Sequence, residues 1–143
     1  MGYLSGVLEW CAGILASLIV VFFTQIINYR FFTPKRKMKE QIFKVDATLN
    51  YYANIITNPG VTNIEQEQEA SNELRRTAME FMSFIAFNPK IKYGDITHKE
   101  LDTIGPELIL LSNTVGSKEF EEENHYAVSK LRKLLYKNNP NAI

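Results

Sequence analysis

From Trp10 to Tyr29 the chain runs 20 residues without a charged side chain, WCAGILASLIVVFFTQIINY, and then changes character at once. A helix of that length rises about 30 Å, the thickness of a bilayer's hydrocarbon. Tyr3 and Trp10 stand near one end and Tyr29 near the other, where rings with a polar edge favour the headgroup level. The pattern predicts a membrane-spanning helix. A core helix of a soluble protein is rarely uncharged for so long. A cleaved signal peptide would carry a basic leader and a small-x-small site, whereas MGYLSGVLE has no Lys or Arg and Phe22, Phe23 and Gln25 follow the apolar core.

Within that segment Gly2, Gly6, Glu9, Gly13, Ser17, Thr24 and Asn28 recur at steps that keep small and polar groups on one stripe of a helix. Small residues let helix backbones approach in lipid, and polar ones can bond across. Self-association along Gly6, Gly13 and Ser17 is therefore expected, with Glu9 at the outer boundary and Thr24 and Asn28 facing the assembly axis. The competing reading is that Gly and Ala are common in spans and Glu9 marks a helix start. A single span cannot enclose a channel, so any pore lined by these residues requires several copies.

Beyond the apolar run the periodicity becomes that of amphipathic helices. From Lys37 to Thr57 the residues Met38, Ile42, Val45, Leu49, Tyr52 and Ile56 repeat at steps of four and three, up to the breaker Asn58-Pro59-Gly60. A second helix is predicted over 64–87, with an apolar face at Ala70, Leu74, Ala78, Phe81, Met82 and Ile85, closed by Asn88-Pro89. Thr97-His98-Lys99-Glu100 has the form of a capping box and starts a third helix. Gly105-Pro106 is expected to interrupt it, leaving a second piece from Pro106 to Val115 whose run Leu108-Ile109-Leu110-Leu111 is surrounded by protein. A last helix is predicted over 118–138, acidic at its start and basic at its end, as the helix dipole favours. Phe120, Ala127, Val128, Leu131, Leu134 and Leu135 form its inner face. The fold class is thus all-α. Residues 1–33 form a transmembrane helix and basic junction, and residues 34–143 a cytoplasmic bundle of about four helices.

Charge fixes the expected orientation. The 16 basic and 16 acidic residues balance, yet the first 29 residues hold only Glu9, and Arg30, Lys35, Arg36, Lys37 and Lys39 follow the apolar run. A basic cluster there places the C-terminal part in the cytoplasm and attracts anionic headgroups. The expected location is a bacterial inner membrane, crossed once, with the N-terminus outside. No specific nucleic-acid partner is expected.

Chemistry is sparse. One cysteine, Cys11, excludes an intrachain disulfide or a Cys-based zinc site, and its thiolate would be disfavoured in hydrocarbon. No phosphate-cradling glycine loop or His-x-x-x-His pair occurs, and His98 and His125 read as surface residues. No Arg precedes either His by four to six residues, which argues against the helical RNases that use that spacing. Neither metal nor cofactor is expected, and no enzymatic activity. Arg75 stands beside Leu74 on the second helix. The expectation is partial burial at the bundle interior, where its guanidinium can bond Ser112, Asn113 or a carboxylate such as Glu73 or Glu107 and fix helix register; the competing reading is an ordinary exposed Arg.

Glu73-Leu74-Arg75-Arg76-Thr77-Ala78 and Leu108-Ile109-Leu110-Leu111-Ser112-Asn113 resemble segments of a family of small bacterial proteins with one N-terminal span and a helical cytoplasmic domain. The layout is also similar to the membrane accessory proteins of RNA-targeting CRISPR systems, which assemble into rings and permeabilise membranes, although their Arg-x-x-x-x-His element is absent. The resemblance implies a homo-oligomer in the lipid bilayer, a pore-forming or depolarising effector in anti-phage defence. The alternative is a membrane-tethered scaffold whose bundle recruits a cytoplasmic protein partner.

Overall fold

A computed structural model describes the backbone of residues 2–60 and 62–138, and the side chains of residues 10–30, 32–60 and 62–137. Helix makes up 85% of the structure, with no strands among the described residues, so only turns connect the elements. The chain divides into two compact units, Met1–Arg36 and Lys37–Ile143.

The first unit is built on α1 (Gly2–Ile27) and a π turn, Asn28–Phe32, that leads into α2 (Thr33–Tyr51). An 18-residue window here has a mean hydropathy of 2.2 and none of it is buried, so by length and composition this helix is able to cross a membrane. The π turn has a local cause. Pro34 brings no N–H, and in an α register its ring would press on the carbonyl four residues earlier. Widening relieves this: the Thr33 backbone N–H reaches the Asn28 carbonyl instead, and the Thr33 hydroxyl donates to the same oxygen at 3.1 Å.

The second unit contains the rest of α2, then α3 (Ala53–Thr57), α4 (Ile64–Phe87), α5 (His98–Thr114) and α6 (Glu121–Leu135). Side-chain bonds mark each pairing, and where three recur along one pair of helices they give its direction. Lys44, Thr48 and Tyr52 meet Glu80, Thr77 and Glu69 at 2.5, 3.2 and 2.9 Å, an ascending series against a descending one, so α2 and α4 are antiparallel. Ser71 and Arg75 reach the Ser112 carbonyl and Asn113, aligning α4 against α5. Thr114, Glu107 and Glu100 meet Asn124, Lys130 and Lys137 in the same opposed order. Finally Asn124, Arg132 and Tyr136 return to the Ile56 carbonyl, Asn50 and Asp46 at 3.2, 3.0 and 2.5 Å. The periodic apolar positions fill the space between these ladders. Met38, Val45, Leu49, Ile56, Leu74, Phe81, Leu101, Leu108 and Leu131 are all buried, and Ile91 and Ile96 close one end.

Helix ends follow the expected chemistry. The Thr97–Glu100 capping box is formed in both directions, and Asn63 caps α4 by accepting from the Gln66 N–H at 2.8 Å. Gly116, at φ +87°, makes the turn after α5 where a side chain would be strained and would strike the Glu67 carboxylate.

Four expectations are corrected. The 37–57 helix bends at Tyr52, whose ring stands edge-on to Tyr51 while its hydroxyl donates to Glu69. Gly105-Pro106 does not interrupt α5, which runs from His98 to Thr114. A residue before proline is normally kept from helical angles by its Cβ, and Gly105 has none. The lost bond belongs to the carbonyl of exposed Asp102, on the wet side. Nor is the run after Pro106 fully enclosed: Leu108 and Leu111 are buried, Ile109 is half-buried, and Leu110 is 47% exposed. The last helix also frays into 3₁₀ turns at Lys118–Phe120 and Tyr136–Asn138, and Phe120 and Leu134 are only half-buried.

Candidate functional site: the small-residue face of the N-terminal helix

At about 100° per residue, Gly13, Ser17, Thr24 and Asn28 fall within roughly 60° of arc on one side of α1. A shallow groove runs there, walled by Trp10, Ile14, Leu18 and Val21. A Cβ added at Gly13 would meet nothing within 4 Å, so the depression is open. The hydroxyls of the face are turned onto their own helix. Ser17 donates to the Gly13 carbonyl at 2.8 Å, and Thr24 to the Val20 carbonyl at 2.7 Å. Such back-bonding leaves no hydroxyl proton without an acceptor, which suits contact with an apolar surface. It also means that neither residue needs a second helix to satisfy it.

Asn28 lies where the face enters the π turn. Its carbonyl takes both Thr33 donors, and its side chain is exposed. Arg30, Lys35, Arg36, Lys37 and Lys39 are exposed as well. Gly6 and Glu9 lie outside the residues whose side chains are described.

The second predicted cluster forms in part. Arg75 Nη2 donates to Asn113 Oδ1 at 2.7 Å, tying α4 to α5. It does so on the surface, since Arg75 is exposed and bonds a neutral amide. Ser112 is buried, yet its hydroxyl donates to its own helix at Ile109, and its carbonyl receives the Ser71 hydroxyl at 2.6 Å. The seam is a register device between two helices. Among the described residues, no three His, Cys, Asp or Glu side chains gather as metal ligands would.

One arrangement has no counterpart in the periodicity or motifs of the chain. Asn50, Arg132 and Tyr136 come together where α6 returns to α2 and α3, beside a cleft that also takes in His125 and Lys133. The partners Asn50 and Arg132 are 82 residues apart, so no local spacing announces them. The only available signal is the polar side of α6 itself.

No family model, curated protein or solved structure matches the chain.

Proposed function

We propose that the protein is a single-pass membrane protein of a bacterial inner membrane that carries its helical bundle on the cytoplasmic side and self-associates through the Gly13–Ser17 face. The observation that carries this reading is that every described side chain from Trp10 to Arg30 is exposed, although the segment is apolar and, up to Tyr29, uncharged. An apolar surface of that extent is not left in water. Lipid covers it, and the basic residues from Arg30 onward favour the cytoplasmic side for the helical bundle.

The like-with-like contact rests on the open groove at Gly13 and the self-satisfied hydroxyls of Ser17 and Thr24. Two such faces approach closely without stranding a donor, and the gain is dispersion between backbones. Folded-back hydroxyls favour a packed seam over a wetted one. A depolarising effector of the kind implied by the layout would use the same seam and need a lumen in addition. We assign the protein no catalytic activity.

The particle mass of the full-length protein in a nonionic detergent tests the reading. Wild type is expected as an oligomer, and Gly13→Leu with Ser17→Leu as a monomer with unchanged helix content. A wild type that stays monomeric at every concentration overturns self-association. Replacing α1 with an unrelated single-pass helix separates an assembling span, which then fails, from a plain tether for a cytoplasmic partner, which tolerates the exchange. Ion flux from vesicles reads the effector role.

A further inference from the structure

We propose that the cleft between α3 and α6 binds a phosphoryl-bearing anion, gripped by Arg132 and Lys133. The cleft has a volume of about 690 Å³ and Ala53 and Val128 in its wall, and among the described residues no Asp or Glu lines it. That volume lies in the range of small-ligand sites and exceeds a single phosphate, leaving room for the group that carries it.

Like Arg75, and unlike the four cations named next, the cations here bond no carboxylate among the described residues. Lys44, Arg76, Lys130 and Lys137 each bond a carboxylate. Arg132 instead donates to a neutral oxygen, Asn50 Oδ1 at 3.0 Å, and Lys133 makes no ion pair among the described residues. Arg132 therefore keeps most of its five donors and its full charge available.

It is also held in place. Asn50 hydrogen-bonds the Tyr136 phenol, and that phenol donates to Asp46 at 2.5 Å. The Asp46 bond, with burial, pushes the phenol's pKa up and keeps it a donor. The chain Arg132–Asn50–Tyr136–Asp46 thus fixes a guanidinium at the cleft while Asp46 itself does not line it. Lys133, His125 and the Ser129 hydroxyl add donors from the same helix. A fork, an ammonium and a hydroxyl match an anion with three acceptor oxygens and close to two charges better than a lone carboxylate.

Two sources offer that chemistry: a free phosphorylated metabolite and a phosphomonoester lipid headgroup. Titration calorimetry on the full-length protein in nonionic detergent, at fixed ionic strength, uses pyrophosphate for the first and short-chain phosphatidic acid below its micelle concentration for the second. At least one is expected to bind wild type, and the tighter one identifies the source. Arg132→Gln with Lys133→Gln should weaken it at least tenfold, about 1.4 kcal/mol. Lys133→Gln alone removes an exposed ammonium that holds no carboxylate among the described residues, leaves the fold intact, and should still cost several-fold. Lys90→Gln with Lys92→Gln makes the same charge change on the loop before α5 and should leave affinity within about twofold. The proposal is overturned if neither probe binds, if Lys133→Gln has no effect, or if the two double variants weaken binding alike.

Discussion

The Asn124 side-chain amide donates to the carbonyl of Ile56 at 3.2 Å, joining residues 68 positions apart inside the core. Thr114 Oγ1 lies 2.5 Å from Asn124 Oδ1, so one buried amide ties the end of α3, the end of α5 and the first turns of α6 together. These are the places where backbone groups lose their helical partners and would otherwise be buried unbonded.

Asn124→Ala should accordingly destabilise the protein by about 2–3 kcal/mol, since it leaves the Ile56 carbonyl without this donor in a dry site. Urea unfolding of the full-length protein in nonionic detergent, followed by circular dichroism, measures it. A loss under about 0.5 kcal/mol would show that water replaces the amide at no cost.

Gly105 and Met82 should behave as a coupled pair. A Cβ at position 105 would lie 2.1 Å from Met82 Cγ and 2.7 Å from its sulfur. Met82 is 44% exposed, so it can swing away, at the expense of its packing. Alanine in a helix interior is worth up to about 1 kcal/mol over glycine. Gly105→Ala alone is nevertheless expected to destabilise by about 1 kcal/mol or more, because the new Cβ meets both Met82 and the Pro106 ring, and to cost less in a Met82→Ala background, where only the proline contact opposes the helix gain. Equal effects in both backgrounds would contradict the contact.

The N-terminus of α5 should weaken in acid. Glu100 is lowered from 4.5 to about 2, first by its bond from Lys137 and then by the Thr97 backbone and hydroxyl. Because the folded carboxyl titrates below the unfolded one, its contribution is complete above pH 4.5 and is lost as the pH falls from there to about 2. The difference in Tm between wild type and Glu100→Gln should be present at neutral pH and close through that window. A gap that persists to the bottom of the window would place the stabilisation elsewhere.

What the sequence determined by itself is local. Uncharged length marks α1, period 3.6 marks the inner faces of α2, α4 and α6, Asn58-Pro59-Gly60 and Asn88-Pro89 mark the ends of α3 and α4, and Thr97 with Glu100 marks the start of α5. Each depends on residues within a turn or two, whose energetics the chain carries wherever it goes. The Arg75–Asn113 bond was legible for a related reason: both residues border an inner face, so packing α4 on α5 brings them near each other.

Tertiary structure decided the rest. Pro106 stays inside α5 because Gly105 lacks a Cβ to clash with it, and Met82 of another helix occupies the space. Arg132 faces a cleft because the return of α6 sets it against the neutral Asn50 amide, with no ion pair to a carboxylate among the described residues. Hydrophobic periodicity states which side of a helix turns inward. It does not state which other helix arrives there, since burial is non-directional and the choice among partners is made by all the contacts together.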